Sequence, residues 1–398
     1  RDALLGYDHL DWDIATSARP EQVRRMFKRT VPVGIEFGTI GVLDPDGVLH
    51  EVTTFRRDVR TDGRHAVVEF GVSLDDDLAR RDYTINAIAY SPSRGELRDP
   101  FDGRQDLQRG IVRAVGDPAA RMREDRLRAL RGIRFAARFG FDLDPATWTA
   151  ITDTAPHLGQ LSAERVKQEI EKTLDQVRSP STAFARWRAS GAFASLIPLL
   201  GAVPVERFTV IDHLPRPGAR RRPARHLLRL GALFAGMPVA DVRATLRQLR
   251  FSNADVSAVS RLAAGWLAVG ADIGAALRAP RPPEDARIRR WAATIGRTQW
   301  TLVMRLADAA WASERARGLA APSAAAVHSL YRRGVRIAFN DPVELADLAV
   351  DGDDLRVAGV PAGPALGKVL ARLLDIVVDD PSKNQRDILL EIVRREGS

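Results

Sequence analysis

What most constrains this chain is a change of pattern at Asp117-Pro118. Before that point, short runs with strand character fall at residues 12–15, 40–43, 48–55, 67–72 and 111–115. Turn signals separate them at Pro45-Asp46-Gly47, Asp62-Gly63 and Asp102-Gly103. After it almost no β pattern remains. Apolar residues recur at helical spacing, as in Leu127, Leu130, Ile133 and Ala137, then Val166, Ile170 and Leu174, with Ser162 as the N-cap of the second run. The fold class this predicts is α+β: a head that mixes strands and helices, followed by an all-helical remainder. At 398 residues the chain exceeds one ordinary core. Pro215-Arg216-Pro217-Gly218 and residues 278–283 read as connectors.

An apolar content of 45% marks a folded protein rather than a disordered one. The formal net charge is +9, carried mostly by arginine, and a positive field favours a polyanionic partner. There is no cysteine, which excludes disulfides, thiolate metal sites and thiol nucleophiles. No apolar run reads as membrane-spanning and no signal peptide is visible, so the expectation is a cytoplasmic protein with no membrane partner. The sequence opens on Arg1 rather than Met, so the true N-terminus is expected upstream. The basic run at residues 216–225, broken by prolines, fits a solvated loop and a nucleic-acid contact equally well.

Three carboxylates in the head suggest chemistry. Asp11 and Asp13 lie two apart in Leu-Asp-Trp-Asp-Ile-Ala-Thr, so on a strand they share a face while Trp12 and Ile14 turn to the core. Residues 40–43 and 48–55 read as a hairpin across Asp44-Pro45-Asp46-Gly47. If that hairpin lies beside the Asp-x-Asp strand, Glu51 joins the pair. Clustered carboxylates repel unless cations sit between them, and hard oxygen ligands suit Mg²⁺. A two-metal carboxylate site is one of phosphoryl or nucleotidyl transfer. Taken alone, Asp-x-Asp also describes a solvated strand edge, the commoner case.

Further motifs follow. Arg80-Arg81-Asp82-Tyr83-Thr84-Ile85-Asn86-Ala87 comes after an acidic helical run and offers phosphate donors and ribose-gripping groups; a surface helix start explains it about as well. Asp99-Pro100-Phe101-Asp102-Gly103 reads as a turn able to close a hairpin. In Glu124-Asp125-Arg126-Leu127-Arg128, Asp125 and Arg128 are three apart on a predicted helix and share a face. The default reading is an intrahelical ion pair worth about 0.2–0.5 kcal/mol. The functional reading rests on base edges: cytosine and adenine each present an amine donor beside a ring-nitrogen acceptor, which a carboxylate beside a guanidinium complements. Guanine and uracil reverse that order.

In their order, these motifs resemble the class II tRNA nucleotidyltransferases, the CCA-adding enzymes and their bacterial poly(A) polymerase relatives. The likeness runs through Arg1-Asp2-x-x-Leu5-Gly6, Asp11-x-Asp13, Val33-Gly34-x-x-Phe37-Gly38-Thr39 and Glu51-Val-Thr-Thr-Phe55. It continues in Arg80-Arg81-Asp82-x-x-x-Asn86-Ala87, Asp99-Pro-Phe-x-Gly103, Glu124-Asp125-x-x-Arg128, Arg134-Phe135 with Gly140-Phe141, and Glu164-Arg165-x-x-x-Glu169-x-x-Lys172. Gly359-x-Pro361-x-Gly363-Pro364-x-x-Gly367 and Asn384 extend it to the end. The resemblance implies a polymerase β-like nucleotidyltransferase head at 1–117, a helical neck at 118–178 carrying the nucleotide-selecting helix, a body at 179–283 and a tRNA-binding tail at 284–398. It implies that Asp11 and Asp13 bind Mg²⁺ with Glu51 as third carboxylate. Arg1, Arg81, Asp82 and Asn86 would hold ribose and triphosphate, and Asp125 with Arg128 would read the base. Residues 56–67 would be the flexible loop of the switch from C to A addition. The implied substrates are CTP, ATP and the tRNA 3′ end; no protein partner is indicated.

Departures from the pattern carry their own expectations. The family's Gly-Gly, ahead of Arg1-Asp2, and a first strand are missing from the sequence, so an impaired triphosphate site is expected for this polypeptide. The His-Asp phosphohydrolase pair of some relatives is absent around His226, and His213 and His226 read as structural or surface residues. Rival functions are a poly(A) polymerase, disfavoured because Gly34-Ile-Glu-Phe-Gly38 replaces a basic segment, a CC-adding enzyme, and a non-catalytic RNA-binding protein.

Overall fold

The computed structural model describes residues 1–7, 12–61, 66–217 and 223–396. The chain divides into two compact units, Arg1–Val203 and Pro204–Ser398.

In the first unit, β1 (Ile14–Thr16), α1 (Pro20–Met26), β2 (Thr30–Gly34), β3 (Thr39–Leu43) and β4 (Leu49–Thr54) build a mixed sheet of order β1-β4-β3-β2. β1 runs parallel to β4; the other pairs are antiparallel. Pro20 at the first turn and Glu21 beside it suit the start of α1. Val23 of α1 packs with Ile40, Val42 and Val52 to form the core under one sheet face. Each such aliphatic side chain contributes about 1.5–3 kcal/mol on burial. The sequence reading turned Trp12 and Ile14 to this core, yet they are 53% and 44% exposed. The reason is position: β1 is a three-residue edge strand, whereas α1 covers β3 and β4.

β5 (Arg56–Thr61) and β6 (Ala66–Phe70) pair antiparallel, so most of the segment expected as a loop at 56–67 is a hairpin; residues 62–65 lie outside the described residues. α2 (Leu74–Ala79) is capped by Ser73, whose hydroxyl accepts from the Asp76 amide. After it come the hairpin β7 (Ala89–Ser91) and β8 (Glu96–Arg98), α3 (Gly103–Arg109) and β9 (Ile111–Val112). Asp99 does not close a hairpin as expected. Its carboxylate accepts from the amides of Gly103 and Arg104 at 2.8 and 2.9 Å, which seats the first turn of α3.

From Pro118 the unit is helical: α4 (Pro118–Glu124), α5 (Leu127–Phe139), α6 (Pro145–Thr154), α7 (Ala163–Gln176) and α8 (Pro180–Ala189). The one β element here, β10 (Asp142–Leu143), pairs with β9. Leu130 and Ile133 of α5 and Val166, Ile170 and Leu174 of α7 are buried, as their spacing predicts. Ser162 is the N-cap of α7, without a side-chain capping bond. Arg134 of α5 meets Glu169 of α7 at 2.7 Å with both side chains buried. Removing one partner of such a pair costs about 3–5 kcal/mol, so it fixes how α5 sits on α7.

Among its described residues the second unit contains helices and no strand. It includes α9 (Pro223–Leu233), α10 (Val239–Gln248), α11 (Asn253–Arg278), α12 (Asp285–Ile295), α13 (Arg297–Ala316), α14 (Ala324–Asn340), α15 (Pro364–Asp379) and α16 (Arg386–Glu396). α11 is long and apolar enough by length and composition to cross a membrane, which corrects the sequence reading; half of that stretch is buried inside the unit. Val256, Leu262, Val269 and Ile273 make it a core helix. The buried Arg289 of α12 caps the C-terminus of α15, donating to the carbonyls of Val378 and Asp379 at 2.7 and 3.2 Å.

Candidate active site

The sheet places two of the three carboxylates. Ile14 pairs with Val52, so one residue earlier the same register brings Asp13 level with Glu51. Val52 faces α1, so Glu51 and its cross-strand partner Gly41 face the other side. Asp13 and Glu51 are both exposed. Gly41 admits no side chain: a Cβ there would lie 2.7–2.8 Å from Leu49, Val31 and Val33 atoms. Asp11 lies outside the described residues. Among the described residues there is no group of three metal-ligating side chains.

A second set of residues comes from the segment after α2. Arg80 is not a helix start but the C-cap of α2, and Thr84–Asn86 forms a buried 3₁₀ turn. Arg80 pairs with the buried Asp77 at 2.9 Å and Arg81 reaches the same carboxylate at 3.5 Å. A guanidinium nitrogen of Arg81 also donates to the Asn86 carbonyl at 3.3 Å, while its buried Nε has no hydrogen-bond partner among the described residues. Asp82 is more fully satisfied. Its Oδ1 accepts from the Tyr83 amide at 2.9 Å and from Asn86 Nδ2 at 2.8 Å, and its Oδ2 accepts from Arg131 Nε at 2.8 Å. Burial opposes ionisation of Asp82, but the Arg131 charge and the Asn86 and Arg131 hydrogen bonds outweigh it and hold the carboxyl below its usual range. Arg1 donates to Asn86 Oδ1 and to Asp2, and its guanidinium lies 5.0 Å from the ring centres of Phe135 and Phe139.

The third set is at the junction of α4 and α5. Asp125 and Arg128 do not share a helix. Asp125 is the C-cap of α4 in extended backbone, and its carboxylate accepts from the Leu127 amide at 3.1 Å, opening α5. An Asp in this position competes for backbone amides and breaks the helix. Nor do the two residues pair. Asp125 meets Arg165 of α7 at 2.7 Å, while Arg128 meets Glu124 at 2.9 Å. Arg128 also donates to the Arg80 carbonyl at 2.9 Å, and its own carbonyl accepts from the Tyr83 hydroxyl at 2.5 Å. That last contact depends on Gly132, where a Cβ would lie 2.2 Å from the Tyr83 oxygen.

The structure therefore brings Arg1, Arg81, Asp82, Asn86 and Arg128 into one bonded neighbourhood, with Asp125 three residues before Arg128. Sequence reasoning missed Arg131, Arg165 and Tyr83. For Arg131 a signal existed: Arg128, Arg131, Arg134 and Arg138 recur at three- and four-residue intervals, which sets them along α5. The arrangement offers an ionised acceptor at Asp82, a donor at Arg81 unsatisfied among the described residues, and a carboxylate and a guanidinium, Asp125 and Arg128, held apart at the α4–α5 junction, all suited to a polar, phosphorylated ligand. His213 is exposed and His226 half-buried in α9, and neither belongs to a metal-ligating group among the described residues.

Family models match three parts of the chain: the poly A polymerase head domain over residues 1–113, the "Probable RNA and SrmB- binding site of polymerase A" over 140–203, and tRNA nucleotidyltransferase domain 2 over 321–393. A CCA-adding enzyme of Streptococcus mutans is 34% identical over 406 residues, spanning 100% of this chain and 91% of that one. One from Geobacillus kaustophilus is 34% identical, spanning 97% and 89%. The crystal structure of the Bacillus stearothermophilus CCA-adding enzyme in complex with CTP matches with a TM-score of 0.74 at 32% identity, covering 100% of this chain and 91% of that one. With this likeness along its whole length and a polymerase-type head, the chain belongs to the CCA-adding enzyme family of nucleotidyltransferases.

Proposed function

We propose that this nucleotidyltransferase builds or repairs the 3′-terminal CCA of tRNA from CTP and ATP, without a nucleic-acid template. One observation carries the reading. Arg128 is bonded to the Arg80 carbonyl while Arg131 is bonded to Asp82, so the helix that would read the base is fastened to the turn that would hold ribose and phosphate. Protein side chains, rather than a template strand, can then select the nucleotide.

In this reading the 3′-hydroxyl oxygen of the RNA attacks the α-phosphorus in line. The new P–O bond forms as the bond to pyrophosphate breaks. Arg81 and Arg1 orient the phosphates, Asp82 and Asn86 the ribose, and Asp125 with Arg128 the amine and ring nitrogen shared by C and A. Asp13 and Glu51, exposed on one sheet face, fit hard-cation chemistry, and with Asp11 they would hold Mg²⁺. When bound, Mg²⁺ supplies charge neutralisation at the phosphates and activation of the attacking hydroxyl. Residues 1–117 serve as head, 118–178 as neck, 179–283 as body and 284–398 as tRNA-binding tail, in the cytoplasm where tRNA is matured.

The test is incubation with tRNA lacking CCA, Mg²⁺ and labelled CTP and ATP. Addition of C-C-A that then stops is the expected result. A long A tail would identify a poly(A) polymerase, and arrest after C-C a CC-adding enzyme. Asp13→Ala should lower addition of both nucleotides by at least about 10²–10³, the loss seen for one electrostatic donor, with tRNA binding retained.

A further inference from the structure

Arg131 stands apart from the residues assigned above. It lies one helical turn beyond Arg128 on α5, and its Nε is the one side-chain donor on Oδ2 of Asp82 among the described residues. The Asp82 side chain is only 10% exposed, while that of Arg131 is 31% exposed. The guanidinium also lies over the Phe135 ring, 5.2 Å from its centre. Phe135 is itself buried and fixed edge-on against Tyr83.

We propose that Arg131 is the positioning residue of the sugar site. It fixes the Asp82 carboxylate in the orientation that leaves an acceptor lone pair for the 2′-hydroxyl of the incoming nucleotide, and so contributes to the choice of ribonucleotide over deoxyribonucleotide. This rests on the reading that Asp82 holds the ribose.

The geometry supports the assignment in three steps. Oδ1 has both of its lone pairs engaged, by the Tyr83 amide and Asn86. Oδ2 has one engaged by Arg131 and, among the described residues, one open, so rotation of the carboxylate is blocked only as long as both oxygens keep their donors. A carboxylate this far buried, without a cation beside it, would also be pushed toward its protonated form, which donates rather than accepts. A 2′-hydroxyl needs an acceptor that stays put; a 2′-deoxy sugar makes no use of one.

The experiment compares CTP with dCTP in single-nucleotide addition to tRNA ending before the first C. The variants are Arg131→Met, Arg131→Lys and Asp82→Ala, with thermal melting of each. Arg131→Met keeps the apolar stem over Phe135 and removes the donor. It should raise KM for CTP and lower the CTP/dCTP ratio of kcat/KM by roughly tenfold or more, the scale of a hydrogen bond to a charged group. dCTP kinetics should stay close to wild type. Arg131→Lys should recover part of the ratio. The Arg131→Met/Asp82→Ala double variant should be no worse in ratio than Asp82→Ala alone, since the two act through one carboxylate. Equal loss for CTP and dCTP in Arg131→Met, with the ratio collapsed in Asp82→Ala, overturns the role of Arg131 and leaves the ribose reading of Asp82 standing. An unchanged ratio in Asp82→Ala overturns both.

Discussion

Arg165 donates to the Asp125 carboxylate at 2.7 Å across the break between α4 and α5. The contact ties the start of α5 to α7, and it leaves Asp125 partly exposed and already aimed. Because Asp125 holds Arg165 and Arg128 holds Glu124, the two base-reading candidates are not neutralised by each other.

A prediction about nucleotide choice follows from that separation. Asp125→Ala should relax rejection of UTP and GTP by roughly tenfold to a hundredfold, the worth of a polar pair to a base edge. Arg165→Met should shift selectivity the same way but less, because Asp125 survives with a freer rotamer. Single-nucleotide incorporation with each of the four NTPs measures both. Wild-type ratios in Asp125→Ala, with only a loss of thermal stability, would make the residue a helix cap and no more.

Packing at Tyr83 makes a stability prediction. Gly132→Ala places a methyl 2.2 Å from the Tyr83 oxygen in a fully buried contact. Overpacking of this kind costs about 1–3 kcal/mol. Tyr83→Phe removes the nearest atom, so it should recover part of the loss in the Gly132→Ala background while costing about 1 kcal/mol alone through its bond to the Arg128 carbonyl. Denaturant melts of the two singles and the double check the sign of the coupling. Additive losses would show that the two sites do not touch.

Much of this was legible from the residues, and the misses share a cause. Helix periodicity located the buried stripes of α5 and α7 because burial there is set by spacing along a single element. The hairpin of β3 and β4 was legible from Asp44-Pro45-Asp46-Gly47, whose Asp44 accepts from the Val48 amide at 2.8 Å. What could not be read was anything set by a partner distant in sequence. Trp12 and Ile14 have the polarity of core residues, but whether a strand lies at the sheet edge is a property of the sheet. Asp125 and Arg128 have the spacing of an intrahelical pair, but Arg165, forty residues on, and the amide of Leu127 draw Asp125 out of the helix. The spacing of Arg131 set it along α5, but its role could not be read from that, because its partner, Asp82, lies forty-nine residues earlier.

Acid should reveal the Asp82 cluster. Its folded carboxyl lies below the usual range, burial raising it and the Arg131 charge lowering it further. In the unfolded chain it titrates near about 3.9. Between those two values the unfolded state binds more protons than the native state, so stability rises with pH. The contribution is complete above the unfolded value and is lost as pH falls through the folded one. Asp82→Asn removes it. The stability gap between wild type and Asp82→Asn, followed by denaturant melts, should therefore hold steady near neutrality and narrow below about pH 4. A gap that widens in acid would mean that Asp82 is protonated in the native protein.

Association with tRNA should be dominated by charge. The chain carries a net charge of +9, almost all of it from arginine, and the proposed substrate presents one phosphate per nucleotide. Each phosphate that is neutralised releases condensed counterions, so the logarithm of affinity should fall linearly with the logarithm of salt concentration. The slope reports the number of phosphates engaged; between six and ten contacts would reduce affinity by about 10³–10⁵ from 50 to 200 mM salt. An enzyme that acts on every tRNA cannot depend on base identities that differ among them, so the contacts should be to backbone and shape. Filter binding of two tRNAs of unrelated sequence across a salt series gives both quantities. Parallel lines of the same steep slope are expected. Affinity that stays flat with salt, or a large offset between the two tRNAs, would mean that base contacts rather than phosphates carry the complex.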